Sequence, residues 1–135
     1  MLRLFALSLA TASALVAQPI RDVALDPEQA IDLPVSREIT TVMFPGSITA
    51  VAGADMLIDS GKAAVELEEG APVRFHVTHA PGSNFILIRS LQPDATARLT
   101  AIYEGSAYVL HLRTVASDSV ASLIYKRPVM QRAVR

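Results

Sequence analysis

The sequence contains no cysteine and no tryptophan, and only 5% of its residues are aromatic. Without cysteine, the protein has no thiol nucleophile, thiolate zinc site, iron–sulfur cluster or disulfide bond. The fold must therefore be stabilised by ordinary hydrophobic packing, to which an apolar content of 51% can contribute. A length of 135 residues indicates one domain.

The sequence also lacks an excess of charge of either sign. Twelve basic and 13 acidic side chains give a formal net charge of −1, which provides no basic surface for nucleic acid. The chain is too rich in apolar residues to be an acidic disordered segment. Eight prolines, six glycines and many β-branched residues favour a β-rich domain over a helix bundle.

Residues 1–17 are typical of a secretory signal peptide. Arg3 is the only charged residue in this stretch, residues 4–10 are almost entirely apolar, and small residues follow. This order predicts export, with cleavage before Leu15 or Gln18. A membrane anchor is the alternative, but a spanning helix needs about 20 apolar residues and this run is shorter. We therefore expect a periplasmic or secreted protein without a transmembrane segment in its mature chain.

Residues 18–36 contain three of the eight prolines and predict an N-terminal arm or linker. Residues 26–29 read Asp-Pro-Glu-Gln, an order typical of a helix N-terminus. Because Pro34 would end that helix quickly, we expect one short helix or an extended arm. A β-domain should follow over residues 37–127, with residues 128–135 as a basic C-terminal tail.

From residue 37 onward the apolar residues recur with a period of two. Residues 73–78 alternate strictly, which predicts a half-buried strand with Phe75 inside and His76 outside. The same pattern places Leu110 and Leu112 in the core. Leu87 lies in an apolar run without alternation, which we expect to be buried on both faces.

The strongest local prediction is a β-hairpin. Residues 98–103 and 108–113 both alternate, and the short loop between them contains Glu104-Gly105. Other turn signals divide the chain into further short segments. The predicted fold is therefore all-β: a single antiparallel, immunoglobulin-like β-sandwich, or a small open barrel, of about eight short strands.

The three histidines give weak support for a metal site. His76 and His79 are three residues apart, and on a strand such residues point to opposite faces. His76 and His111 both face solvent in the predicted strands, so they could meet across a sheet. A zinc site would still need one or two more ligands. We predict no metal site and no cofactor.

Motifs for catalysis are missing as well. The sequence has no nucleophile elbow and no glycine-rich phosphate loop. Its only acidic cluster, Glu66, Glu68 and Glu69, is typical of a solvated strand face. Asp55 and Asp59 provide too few ligands for a calcium loop. We therefore predict no catalytic residues and no enzymatic activity, although an enzyme with unrecognised chemistry is a further alternative.

The C-terminal end is basic. No acidic residue follows Asp118, whereas Lys126, Arg127, Arg132 and Arg135 do. Such a segment could dock on an acidic partner or on anionic lipid headgroups. A frayed, solvated tail is the alternative.

Several stretches of the predicted β-domain follow one another in a characteristic order. Residues 38–53 form a β-branched run, a Phe-Pro pair, and then Ile and Val ahead of a glycine. Residues 84–89 read NFILIR, residues 97–103 read ARLTAIY, and residues 107–112 read AYVLHL. This order resembles the N-terminal β-sandwich of TrbG/TraK-type proteins of conjugation and type IV secretion channels. The resemblance covers roughly residues 37–113.

The sequence departs from that family in several places. Residues 53–55 only approximate the family's Gly-Asp, its central tryptophan is missing, and Ala-Arg-Leu at residues 97–99 replaces its Thr-Asn-Leu. We also expect the chain to lack the second β-domain that most members carry. The resemblance therefore implies an exported scaffold or ring-forming sandwich, and no individual functional residue is carried over.

Two functions follow as hypotheses. The first is a non-catalytic interaction or scaffold module of a bacterial cell-envelope assembly. It would bind other envelope proteins, with self-association as an alternative, through strand edges and residues 18–36 or 126–135. The second is a periplasmic small-ligand-binding β-domain that uses the interior of a sandwich or barrel.

Overall fold

The computed structural model describes residues 19–61 and 73–128, which form ten β-strands and no helix. The strands are β1 (Ile20–Ala24), β2 (Ile31–Val35), β3 (Thr40–Met43), β4 (Ala50–Gly53), β5 (Met56–Asp59), β6 (Phe75–Thr78), β7 (Phe85–Ser90), β8 (Thr96–Tyr103), β9 (Ser106–Thr114) and β10 (Ser122–Lys126). The prediction of an all-β chain is confirmed. The signal peptide, the acidic cluster at 66–69 and most of the basic tail lie outside the described residues.

The strands form two sheets that share one hydrophobic core, in a sandwich-like arrangement. The six-stranded sheet has the order β1-β10-β3-β7-β6-β5, and the four-stranded sheet has the order β2-β9-β8-β4. Pairs β1–β10, β10–β3, β2–β9 and β5–β6 are parallel, and the other four pairs are antiparallel. The expectation of an antiparallel sandwich is therefore wrong for half of the described pairs. Neighbours such as β1 and β10 come from distant segments, so no tight turn forces them to run in opposite directions.

The core contains inward-facing side chains from both sheets, as the period of two predicts. Completely buried members include Leu33, Val42, Phe75, Ile86, Leu99, Leu110 and Leu123. The core prediction is confirmed for Phe75, Leu110 and Leu112 and is wrong for Leu87. Ile86 and Ile88 occupy the inward positions of β7, so Leu87 faces the opposite way and is half-buried.

The predicted hairpin is present. Tyr103 of β8 pairs with Ser106 of β9, which leaves Glu104 and Gly105 as a two-residue loop. Both loop residues have positive φ angles, 49° and 79°. Such a pair matches the right-handed twist of the flanking strands and holds the hairpin in a single register.

The segment expected to be an arm or linker supplies two strands. β1 pairs with β10 in the six-stranded sheet, and β2 pairs with β9 in the four-stranded sheet. Residues 26–29 form a turn instead of a helix, in which the Asp26 side chain accepts a hydrogen bond from the Glu28 N–H at 3.0 Å. The predicted short helix is therefore absent, because the buried residues of β2 continue the chain as a strand.

Candidate interaction surface

The outward side of the six-stranded sheet is apolar at its centre. Met43 of β3 lies opposite Phe85 of β7 and also opposite Ile124 of β10. Leu87 follows on β7, and Ile39 lies next to it, just before β3. Met43, Phe85, Leu87 and Ile124 are half-buried, and Ile39 is 55% exposed. We call these five residues the outer apolar face.

The outward side of the four-stranded sheet has a different character. Arg98 of β8 lies opposite His111 of β9, which in turn lies opposite Asp32 of β2. Arg113 donates a hydrogen bond to the Asp32 carboxylate at 3.1 Å, and both side chains are well exposed. These four residues form a charged row on one part of this side, whereas its remainder includes half-buried Val109 and Ile102.

A polar row borders the outer apolar face. Asp59, His76 and Arg89 lie on the adjacent strands β5, β6 and β7. His76 Nε2 forms a hydrogen bond with the Asp59 carboxylate, and Arg89 Nε donates to His76 Nδ1 at 3.2 Å. Because Arg89 can only donate, Nδ1 must accept, and the ring proton is assigned to Nε2 facing Asp59.

The environment of Asp59 favours its charged form. Burial opposes ionisation, but hydrogen bonds from His76 and from the Gly61 N–H, at 2.7 Å, outweigh burial and lower the pKa of Asp59. Thr78 adds a longer hydrogen bond to the same carboxylate at 3.4 Å. The row thus holds a carboxylate and a guanidinium in fixed positions at the edge of an apolar surface.

The Asp59–His76 pair resembles the base half of a hydrolytic triad, but its geometry does not provide a base. Both ring nitrogens of His76 already have partners, and the nearby Thr78 hydroxyl donates to Asp59. A nucleophile would need a free nitrogen of the histidine within hydrogen-bond reach. In this arrangement the imidazole of His76 is held between a carboxylate and a guanidinium.

The histidines do not converge on one site. His76 and His111 lie on the outward sides of different sheets, so the expectation that they could meet is wrong. His79 follows β6, and its Nδ1 lies 3.3 Å from both the Phe85 carbonyl and the Ser83 hydroxyl. Within residues 19–61 and 73–128, no three histidine or acidic side chains form a group suited to a metal ion.

The described part of the basic end is paired within the domain. Lys126 forms an ion pair with Asp22 at 3.1 Å. Arg127 donates to the Glu104 carboxylate at 2.9 Å and to the Tyr103 hydroxyl at 2.8 Å. Its hydrogen bond and charge lower the pKa of Glu104. Arg132 and Arg135 lie outside the described residues.

Of the four edge strands in the described residues, β1 and β2 lie nearest the N-terminus and are open to different degrees. β2 is an edge strand that contains Pro34, and a proline has no N–H with which to pair. β1 is the edge of the six-stranded sheet next to β10, and four of its five residues are exposed. Ile20 in β1 is 64% exposed. The β1 edge is therefore better suited to pairing than the β2 edge.

A polar depression lies at one end of the sandwich. It has a volume of about 350 Å³ and includes Ser36, Ser90 and Thr114. Ser90 and Thr114 are joined through their hydroxyl groups at 2.8 Å, and Ser36 bonds to Ser119 at 3.1 Å. These hydroxyls are therefore already paired with each other.

The chain matches no protein-family profile and shows no significant similarity to a curated protein. The described residues contain no helix long and apolar enough to cross a membrane. The outer apolar face and its polar border could not be read from the sequence, because both depend on which distant strands become neighbours. The only sequence signal was the unalternating apolar run around Leu87, which was interpreted as burial on two faces.

Proposed function

We propose that this chain is an exported, non-catalytic β-sandwich that acts as a protein-interaction or scaffold module of a bacterial cell-envelope assembly. The outer apolar face is the observation that carries this proposal. A sheet side that faces water is usually polar, whereas this one is apolar at its centre. Contiguous apolar groups with a polar border are typical of a surface that binds another protein.

The polar row fits the same role. Asp59, His76 and Arg89 are ordered by their mutual hydrogen bonds, so they keep their positions before a partner arrives. Pre-ordered polar groups at the rim of an interface fix the orientation of the partner with little loss of side-chain entropy. The outer apolar face would then supply the buried contact area.

Export and family resemblance support the cellular setting. The first 17 residues have the basic start, apolar centre and small-residue end of a signal peptide. The order of motifs over residues 37–113 resembles the TrbG/TraK-type channel proteins. The mature protein should begin at Leu15 or Gln18 and be recovered from the periplasm, as measured by intact mass. A soluble cytoplasmic form that retains Met1 would contradict export.

The binding proposal is tested by capture of partners from the native envelope with matched variants. Phe85→Asp places a charge in the outer apolar face, whereas Val109→Asp places one at a half-buried position on the outward side of the four-stranded sheet. Thermal unfolding of each variant establishes that it is folded. We expect Phe85→Asp to lose the envelope partner and Val109→Asp to retain it. Retention by both folded variants would contradict the proposal.

A small-ligand-binding domain is the second candidate, and the polar depression favours it. A volume of about 350 Å³ falls within the range of ligand sites, roughly 300–1,000 Å³. Ser36, Ser90 and Thr114 each keep unused hydrogen-bonding capacity beside their present partners, because a hydroxyl can donate one bond and accept two. Ligand-induced stabilisation of the wild type that is lost in Ser90→Ala would favour this candidate.

A further inference from the structure

We propose that β1 is an exchangeable strand, and that the β10 edge accepts the β1 strand of a second copy of this chain. The proposal adds a self-assembly mode to the interaction role and rests on that proposed function. It depends on three observations. β1 has few buried contacts, β10 beside it and β2 next along the chain are both well buried, and a linker joins β1 to β2.

β1 is attached mainly through its backbone. β10 is its only partner strand among the described residues, and it runs parallel with Ile20 opposite Ser122 and Ala24 opposite Lys126. Its side chains are exposed apart from Val23, which packs partly against the core, as does Leu25 directly after the strand. Arg21 also donates a hydrogen bond to the Asp32 carbonyl at 3.1 Å. The Asp22–Lys126 pair adds little, because both side chains are exposed and solvent screens their attraction. Edge strands with so few buried contacts open at low free energy.

β10, the neighbour of β1 in the sheet, stays in place without β1. Leu123 and Tyr125 of β10 are 0% and 2% exposed, and β10 also pairs with β3 on its other side. Departure of β1 therefore leaves β10 in place as a formed edge with unpaired backbone groups. Such an edge is a template for another strand.

The next strand along the chain is equally well anchored. Ile31, Leu33 and Val35 of β2 are buried. Only six linker residues, 25–30, separate this buried strand from the mostly exposed β1. The linker contains the turn that Asp26 closes through hydrogen bonds to the N–H groups of Glu28 and Gln29, both at 3.0 Å. Opening this turn would lengthen the linker and carry β1 away while β2 stays packed.

The contacts between β1 and β10 indicate which strand would bind a free β10 edge. The β1 sequence fits the β10 edge in a defined register, and an identical strand from another copy would form the same hydrogen bonds and the same Asp22–Lys126 pair. Exchange therefore replaces each internal contact with an equivalent one between copies, and its main cost is the entropy of association. A parallel edge also requires no reverse turn, so the incoming strand can arrive from a separate molecule.

The absence of cysteine makes this testable by disulfide formation. Asp22 and Ile124 are register partners on the outward side of the sheet, so one cysteine at each position lies within bonding reach across β1 and β10. Full-length Asp22→Cys, carrying a tag, is mixed with full-length Ile124→Cys, incubated and then oxidised. We expect a tagged heterodimer linked by a disulfide. The double variant Asp22→Cys/Ile124→Cys provides the internal cross-link as a positive control.

The matched control mixes Asp22→Cys with His111→Cys, since His111 is exposed on the other sheet. Exchange predicts several-fold more heterodimer from the first mixture than from this control. The pair Ile20→Cys and Ser122→Cys repeats the test at a second register position. Equal, low yields in both mixtures, while the double variant closes internally, would overturn the proposal.

Failure of exchange and failure of the interaction role give different results. The oxidised double variant Ile20→Cys/Ser122→Cys holds β1 on its own β10, cannot exchange and leaves all five residues of the outer apolar face unchanged. If heterodimers do not form and this locked protein still captures the envelope partner, exchange is wrong and the proposed function stands. If heterodimers form but neither wild type nor locked protein captures a partner, exchange is supported and the envelope role is contradicted.

Discussion

At the scale of single residues, adjacent side chains on one strand have different structural roles. Phe75 of β6 is completely buried in the core, whereas His76 lies on the outward side and is half-buried beside Asp59. Phe75→Ala should lower the free energy of unfolding by roughly 3–5 kcal/mol, since it leaves a cavity. His76→Ala should lower it by about 1 kcal/mol, the value of a typical hydrogen bond. Urea unfolding measures both, and equal losses would mean that the register of β6 is wrong.

Two buried tyrosines provide a matched pair. The Tyr125 hydroxyl has no hydrogen-bond partner among the described residues, whereas the Tyr103 hydroxyl accepts a bond from Arg127. Tyr125→Phe should therefore raise the free energy of unfolding by roughly 1 kcal/mol, and Tyr103→Phe should lower it by a similar amount. A loss of stability in Tyr125→Phe would show that its hydroxyl is satisfied.

Tyr125 also predicts a response to alkaline pH. Burial, with a contribution from Tyr108, raises the pKa of Tyr125 from 10.0 to about 12. Above pH 10 the unfolded chain loses this proton while the folded protein keeps it, so stability falls as the pH rises towards 12. Stability measured between pH 9 and 11 should fall less steeply in Tyr125→Phe than in the wild type. Parallel curves would contradict the assignment.

Asp59 predicts the opposite dependence at acid pH. Its pKa is lowered in the folded protein, so its contribution to stability is complete above the unfolded value, near 4, and is lost as the pH falls through the folded value. Asp59→Asn should be less stable than the wild type at pH 7, and the difference should shrink below pH 4. Chemical unfolding at several pH values measures this, and a constant difference would show that ionisation of Asp59 is not involved.

At the scale of elements, the β8–β9 hairpin shows what local sequence can specify. Gly105 has a φ of 79°, and a β-carbon added there would meet no atom within 4 Å. Replacing Gly105 therefore costs free energy only because other residues disfavour this backbone conformation. Gly105→Ala should lower the free energy of unfolding by about 1–2 kcal/mol. Gly46→Ala is the control, because its added carbon makes ordinary contact with Tyr103 at 3.4 Å and its φ is not in the left-handed region. Similar losses in both variants would contradict the turn assignment.

The hairpin was predictable because its whole signal, two alternating segments and the glycine between them, lies within 16 consecutive residues. The parallel pairs were not, since β1 and β10 are about a hundred residues apart and nothing in either segment encodes its neighbour. The helix start predicted at Asp26 is wrong, because Asp26 closes a turn and the buried positions of β2 begin at Ile31. Tertiary packing thus overrode a sound local propensity.

At the scale of the whole molecule, the two outward sides differ, since one carries the outer apolar face and the other combines a charged row with half-buried Ile102 and Val109. Alternation predicts which residues of β8 and β9 face outward, so the composition of that side could partly be predicted from the sequence. The outer apolar face combines Ile39, Met43, Phe85, Leu87 and Ile124 from segments that become neighbours only in the sheet. The polar border of Asp59, His76 and Arg89 depends on the same assembly, so neither could be deduced from spacing.

Site-specific photo-cross-linking in the native envelope tests the central claim most directly. A photoreactive amino acid at Leu87 reports on the outer apolar face, and one at Ile102, also half-buried, reports on the outward side of the four-stranded sheet. The account predicts a discrete cross-linked protein from Leu87 and none from Ile102. No product from Leu87, or the same products from both positions, would contradict the assignment of this face as the binding surface.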